Sequence, residues 1–169
     1  MNNGVYIGLG SNLGDSRDYL IRAIQQVGDL ICDYLKTTIS ASALYHSEPV
    51  GFTDQPWFLN QVIAFNIDKG LPPLALLKIL RTIETQLGRR PTFRYGPRAI
   101  DLDLLFYQNW VFESAELTIP HPKITERSFV LMPLAELDPT MVHPRLGLSI
   151  SQILLNNRAQ LTFCQKEEN

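Results

Sequence analysis

Apolar positions along this chain recur with two different periods, and the changes of period mark out its elements. Val5 to Leu9 is a short apolar run stopped by "GSNLGD", which reads as a strand followed by a turn. Asp15 then stands where a helix cap belongs, and Leu20, Ile21, Ile24 and Val27 follow at helical spacing up to Gly28. Two β-rich segments, about 35–45 and 58–67, flank the turn-rich stretch "HSEPVGFTDQPW". Pro72 and Pro73 open a second helix whose apolar face is Leu76, Leu77, Ile79, Leu80, Ile83 and Leu87, with Gly88 as its stop. A further strand runs through "AIDLDLLFY". The order β-α-β-β-α-β is the split βαβ of a ferredoxin-like domain, and it predicts the α+β class, with a mostly antiparallel sheet and helices packed against it. Beyond 109 the pattern predicts short strands near Val111 and Leu117 and a small helix or two within "IPHPKITERSFVLMPLAEL". An apolar helical patch at Ile150 to Leu155 and a frayed tail over about 163–169 complete the chain. With no repeat or linker to divide it, one domain over 1–169 is expected.

Inside the "AIDLDLLFY" strand two carboxylates break the pattern. Asp101 and Asp103 interrupt Ile100, Leu102, Leu104, Leu105 and Phe106, where aspartate is disfavoured. Residues two apart on a strand share a face, so the two acids point the same way, with Cα atoms roughly 6.6 Å apart. Carboxylates brought to about 5 Å would repel by roughly 3 kcal/mol at an effective dielectric near 20, so something must compensate. Two readings fit at this point: a solvated or arginine-paired acidic face, and a divalent-cation site.

The stretch just before the aspartates changes that balance. "GRRPTFRYGPR" holds Arg89, Arg90, Arg94 and Arg98 and no acid. Arginine's planar fork suits phosphate oxygens, and several around one ligand neutralise a polyphosphate. A cationic clamp beside metal-binding carboxylates is the minimal apparatus of phosphoryl transfer. Familiar nucleotide motifs are missing: "GLGSNLG" spaces its last glycine one position late for G-x-G-x-x-G, and no GxxxxGK[ST] occurs. Those glycines are expected to serve a tight strand-to-helix turn. Phe52, Trp57, Phe58 and Asn60 offer stacking and amide groups for a flat ring, Phe58 and Asn60 on one strand face. Further on, His121, Arg127 and Phe129 fall close together in "PHPKITERSFVLMPL".

Composition narrows the function classes. With 45% hydrophobic and 19% charged residues and a net charge of −2, the chain reads as a compact globule. It lacks the field a general nucleic-acid or membrane-surface binder needs. Cys32 and Cys164 match no zinc or CxxC spacing and read as ordinary thiols. "MNNGVYIGLGSN" is too short and glycine-broken for a signal peptide or span, so a cytoplasmic protein is expected.

Taken together, "YIGLGSNLGD", "SEPVGFTDQPWFLN", "IETQLGR", "RYGPRAIDLDLLFY", "IPHP" and "RSFVLMPL" resemble the 6-hydroxymethyl-7,8-dihydropterin pyrophosphokinase family of folate biosynthesis over nearly the whole chain. The resemblance implies a ferredoxin-like α-β-α sandwich that transfers the terminal diphosphate of ATP to the pterin hydroxymethyl group and releases AMP. It implies that Asp101 and Asp103 hold two Mg²⁺ ions, that Arg89 and Arg98 clamp phosphates, and that Arg90, Arg94 and Tyr95 lie in a mobile loop on the nucleotide side. Glu84, His121 and Arg127 correspond to nucleotide-site positions, and Ser47, Val50, Phe58, Asn60 and Phe129 to the pterin pocket. Phe58 stands where the family often has tyrosine, Tyr95 where it often has tryptophan, and the arginine loop is one residue short. The implied partners are the two small substrates, with a monomer expected. A different Mg²⁺-dependent transferase on the same fold would keep the acids and arginines without needing a pterin pocket. An RNA-binding ferredoxin-like module is disfavoured because acids occupy the strand where stacking groups belong.

Overall fold

In the computed structural model, which describes residues 4–68, 70–159 and 161–168, the chain runs β1 (Gly4–Ser11), α1 (Ser16–Ile31), β2 (Ser40–Ala41), β3 (Tyr45–Ser47), β4 (Phe58–Asn66), α2 (Pro73–Gln86), β5 (Asp101–Tyr107), β6 (Phe112–Glu113), β7 (Thr118–Ile119), α3 (Ser128–Leu137), α4 (Ile150–Asn157) and β8 (Cys164–Lys166). The main sheet has the order β5-β1-β4-β3-β8, with β2 also on β4, and its pairings are antiparallel. Because β4 lies between β1 and β3, the unit β1-α1-β3 is a split βαβ, and the fold is the ferredoxin-like α+β sandwich.

Side-chain alternation divides the sheet into two cores. Val5, Ile7 and Leu9 of β1, Leu59, Ile63 and Phe65 of β4, and Leu102 and Leu104 of β5 pack under α1 and α2. Tyr6, Val62, Leu105 and Phe106 face the other way, beneath α3 and α4. The second layer covers only part of its face. The row continuing from Tyr6 and Val62 passes to Gly8 and Gly10 on β1 and to Asn60 on β4, which line an open cavity.

Some elements differ from the sequence pattern. Helix α1 does not stop at Gly28 but continues to Ile31, which is fully buried. Burying that side chain, worth about 1.5–3 kcal/mol, outweighs the roughly 1 kcal/mol cost of a helical glycine. Between 35 and 45 only short pieces pair: Leu35 bridges Ile67, and Thr37 Oγ1 accepts the Asn66 amide at 3.0 Å in place of a ladder carbonyl. The tail expected to fray instead forms β8 along β3, because β3 leaves an open edge whose backbone groups need partners. Met1–Asn3 and Asn169, covered by the leader and tail readings, lie outside the described residues. No helix among the described residues is long and apolar enough to cross a membrane.

Candidate active site

The register of β5 on β1 places the paired aspartates. Asp101 lies opposite Gly10 and Asp103 opposite Gly8, so both acids project over a strip of sheet with no side chains. This corrects the turn reading of the glycines. Only Gly14, with φ +65°, serves the strand-to-helix turn. Gly8 and Gly10 are strand residues whose missing Cβ keeps the cavity floor open: a Cβ on Gly10 would stand 3.3 Å from Asn60 Oδ1. The period of two that paired the aspartates also pairs these glycines, and that signal was available in the sequence.

Guanidinium groups surround the acids. Arg89 Nη1 lies 2.8 Å from Asp101 Oδ1, and Arg98 Nη1 donates to Asp101 Oδ2 at 2.6 Å. Arg127 Nη1 donates to Asp103 Oδ2 at 3.3 Å. The arginine-paired and ligand-binding readings of the aspartates therefore meet in one place. Desolvation, then the charge of Asp101, holds the Asp103 carboxyl above its ordinary value, against His121, Arg127 and Arg89. Desolvation holds the His121 imidazole below its ordinary value, with Asp103 pulling it back up. His121 is thus within electrostatic reach of the acids.

Glu84 interrupts the apolar stripe of α2 and is buried beneath this cluster. It accepts the Leu102 amide at 2.7 Å and pairs closely with Arg89. Burial pushes its carboxyl up to about 7, while the Leu102 amide and Arg89 favour the anion. An acid raised on folding binds its proton better when native, so its stabilising contribution is complete below the unfolded value near 4.5 and is lost as pH rises through about 7. Glu84→Gln removes that titration and keeps the acceptor. The unfolding free energy of wild type from denaturant titration should decline relative to the variant across this window, on the order of 1–3 kcal/mol in total. Parallel pH profiles would contradict it.

The acids open onto a solvent-connected cavity whose lining includes Ser47, Val50, Phe58, Asn60, Tyr95 and Phe129 along with Arg98 and Arg127. Phe58 and Asn60 share a face of β4, as their spacing predicts, and Phe129 comes from the first turn of α3. Asn60 Nδ2 donates to Tyr45 O at 3.2 Å and Ser47 Oγ at 3.0 Å. A second, wider and more open depression is lined by Thr85, Arg89, Arg90, Arg94 and neighbours. Tyr95, Arg98 and Arg127 line both and form the border between a flat, partly apolar slot and a cationic trough.

Two loops overhang this border and are tied together. Gln55 Nε2 donates to Phe52 O at 2.6 Å and to Tyr95 O at 2.7 Å, and Phe52 meets Phe93 edge to face. The buried Asn12 bonds both sides: its Nδ2 donates to Gln55 Oε1 at 2.9 Å and its Oδ1 accepts the Arg98 amide at 2.9 Å. Asn12 and Gln55 leave no mark in the sequence pattern, because amides in a turn and a loop carry no periodic signal. Arg90 and Arg94 are exposed, Arg94 reaching Tyr95 Oη at 3.2 Å, and neither touches the acids. His121 lines neither opening; its Nδ1 accepts the Lys123 amide at 3.2 Å.

Comparison with known proteins bears on what this arrangement serves. The family model described as 7,8-dihydro-6-hydroxymethylpterin-pyrophosphokinase (HPPK) matches residues 6–139. The 2-amino-4-hydroxy-6-hydroxymethyldihydropteridine pyrophosphokinase of Bacillus subtilis is 43% identical over 138 residues, covering 81% of this chain and 79% of the relative. The folic acid synthesis protein fol1 of Pneumocystis carinii is 45% identical over 150 residues, 89% of this chain. The chain spans 20% of the length of that protein. Among solved structures, wild-type Plasmodium falciparum HPPK-DHPS with pteroate matches with a TM-score of 0.71 at 15% identity, over 94% of this chain and 43% of that one, a likeness of fold.

Proposed function

The chain belongs to the 7,8-dihydro-6-hydroxymethylpterin-pyrophosphokinase family, and on that premise we propose that it transfers diphosphate from ATP to 6-hydroxymethyl-7,8-dihydropterin, in folate synthesis. The observation that carries this reading is the placement of Asp101 and Asp103 on one sheet face, lining the slot and paired with Arg98 and Arg127, which line both the slot and the arginine trough. The slot takes the pterin, with Phe58 and Phe129 at its ring faces and Ser47, Val50 and Asn60 at its edge. The trough takes the triphosphate, with Arg89 and Arg98 on phosphate oxygens, Arg127 beside them, His121 acting on the site through its charge coupling to Asp103, and Arg90, Arg94 and Tyr95 in the covering loop.

The residues fit Mg²⁺. Two strand-borne carboxylates supply hard oxygen donors, and among the described residues no three His, Cys, Asp or Glu gather into a cage. Mg²⁺ is commonly bound in this way, by one or two carboxylates together with substrate phosphates and water. Asp101 and Asp103 would hold two ions, which when bound neutralise and polarise the phosphate oxygens. In the free protein those carboxylates are occupied by Arg89, Arg98 and Arg127. On substrate entry the guanidiniums of Arg89, Arg98 and Arg127 turn from the acids to the phosphates, which would leave Asp101 and Asp103 free to hold the ions. The pterin hydroxyl oxygen bonds to the β-phosphorus, the bond from that phosphorus to the α-phosphate oxygen breaks, AMP leaves with that oxygen, and the hydroxyl proton passes to water. Positioning and charge neutralisation do this work without a covalent enzyme intermediate.

The test is incubation with ATP, Mg²⁺ and the hydroxymethyl-dihydropterin. AMP should accumulate one for one with pterin diphosphate, stop on chelation and resume when Mg²⁺ is restored. ADP with a monophosphorylated pterin, or turnover indifferent to the chelator, would contradict the reading.

A further inference from the structure

We propose that the C-terminal strand β8 and its flanking residues position the pterin pocket, with Glu167 as the pin that holds the strand in place; this rests on the slot being the pterin site. The segment touches three walls of that slot. Along β3, Ser47 pairs with Cys164, His46 with Gln165 and Tyr45 with Lys166, and the Glu167 amide donates to Leu44 O at 2.8 Å. Ser47, at the end of this ladder, is the residue whose Oγ receives Asn60 Nδ2. At the far end of the overhanging loop, Phe163 meets Trp57 with ring centroids 5.8 Å apart. The segment thus fastens both ends of the stretch that carries Val50. On the third wall, Thr162 Oγ1 lies 3.2 Å from the buried Ser128 Oγ, next to Phe129 in the chain.

Glu167 closes the set. Its Oε2 takes Arg17 of α1 at 2.5 Å and its Oε1 takes His46 of β3 at 3.1 Å. Beside it, Lys166 reaches Glu136 of α3 at 3.3 Å, and Glu136 also accepts the Tyr45 hydroxyl at 2.7 Å. These ion pairs are partly exposed, and pairs of that kind add little to global stability. Two of them share a direction: His46 and Glu136 tie the last strand to β3 and α3, which carry the slot residues Ser47 and Phe129, while Arg17 anchors it to α1. Covering a bare sheet edge needs only backbone pairing; the side-chain ties fix where the covered strand ends.

The experiment compares wild type with Glu167→Ala, which removes the pin, and Glu167→Pro, which also removes the amide given to Leu44. Steady-state kinetics with each substrate varied, ATP binding by calorimetry, and hydrogen exchange at 45–52 are read together. Glu167→Pro should raise the pterin KM at least ~5-fold and Glu167→Ala by less. ATP affinity and kcat should stay within about 2-fold, and exchange at 45–52 should quicken. Glu167→Gln, which retains an acceptor, should return most of the pterin KM. An unchanged pterin KM in Glu167→Pro, or equal losses of pterin and ATP affinity, would overturn the proposal. Wild type that makes no pterin diphosphate would instead overturn the functional reading beneath it.

Discussion

Asp101→Asn and Asp103→Asn should each reduce single-turnover formation of the pterin diphosphate by at least ~100-fold, the scale of losing one preorganised electrostatic group. Asparagine keeps the shape of the side chain and its place opposite Gly10 or Gly8, but it is a poor ligand for a hard cation. The loss should fall on the chemical step, because the phosphoryl charge being neutralised is redistributed in the transition state. Stability should separate the two variants. Asp103 is held above its ordinary carboxyl value by desolvation and by Asp101, so Asp103→Asn should melt at or above wild type. Asp101 holds both Arg89 and Arg98, and its loss takes the carboxylate partner from Arg98 and leaves Arg89 with Glu84, so Asp101→Asn should melt lower. Thermal scans without ligand, beside rapid-quench product analysis, check both. A well-folded Asp103→Asn protein with near-normal turnover would return the acids to a solvated, arginine-paired face.

Asn60→Ala should weaken pterin binding by roughly 1–3 kcal/mol, about 5- to 150-fold, the cost of leaving buried polar partners unsatisfied, while ATP binding holds. The side chain acts twice. Its nitrogen fixes Tyr45 O and Ser47 Oγ, and its oxygen sits above Gly10 at the cavity floor. Its hydrogen bonds go to Tyr45, Ser47 and Phe58 rather than to the arginine trough, so calorimetry with each substrate alone separates a pocket defect from a general one. Equal weakening of both would mean that β3 and β4 had come apart rather than that a recognition group had been lost.

The parts of the molecule legible in the sequence are those whose signal is local. Helix α2 announces itself through two prolines, a periodic apolar face and a terminal glycine that adopts φ +88°. Asp101 and Asp103 stand out because acids are out of place in a buried run, and Glu84 because it breaks an apolar stripe. Asn60 and Phe58 follow from strand alternation. Other features depend on what lies across space. "CQK" has no periodicity, and only the open edge of β3 makes it a strand. Gly8 and Gly10 look like a turn motif until the register of β1 on β5 sets them opposite the aspartates. The pairing of those aspartates with Arg89, Arg98 and Arg127 could be anticipated as a class of contact, but not which arginine meets which acid.

The transfer itself is tested most directly by the fate of ATP's phosphorus atoms. With ATP labelled at the β-phosphorus, one turnover in the presence of Mg²⁺ and the hydroxymethyl-dihydropterin should carry all of the label into the pterin product and leave AMP unlabelled. Label retained in a nucleoside diphosphate, with only the γ-phosphorus reaching the pterin, would contradict diphosphate transfer.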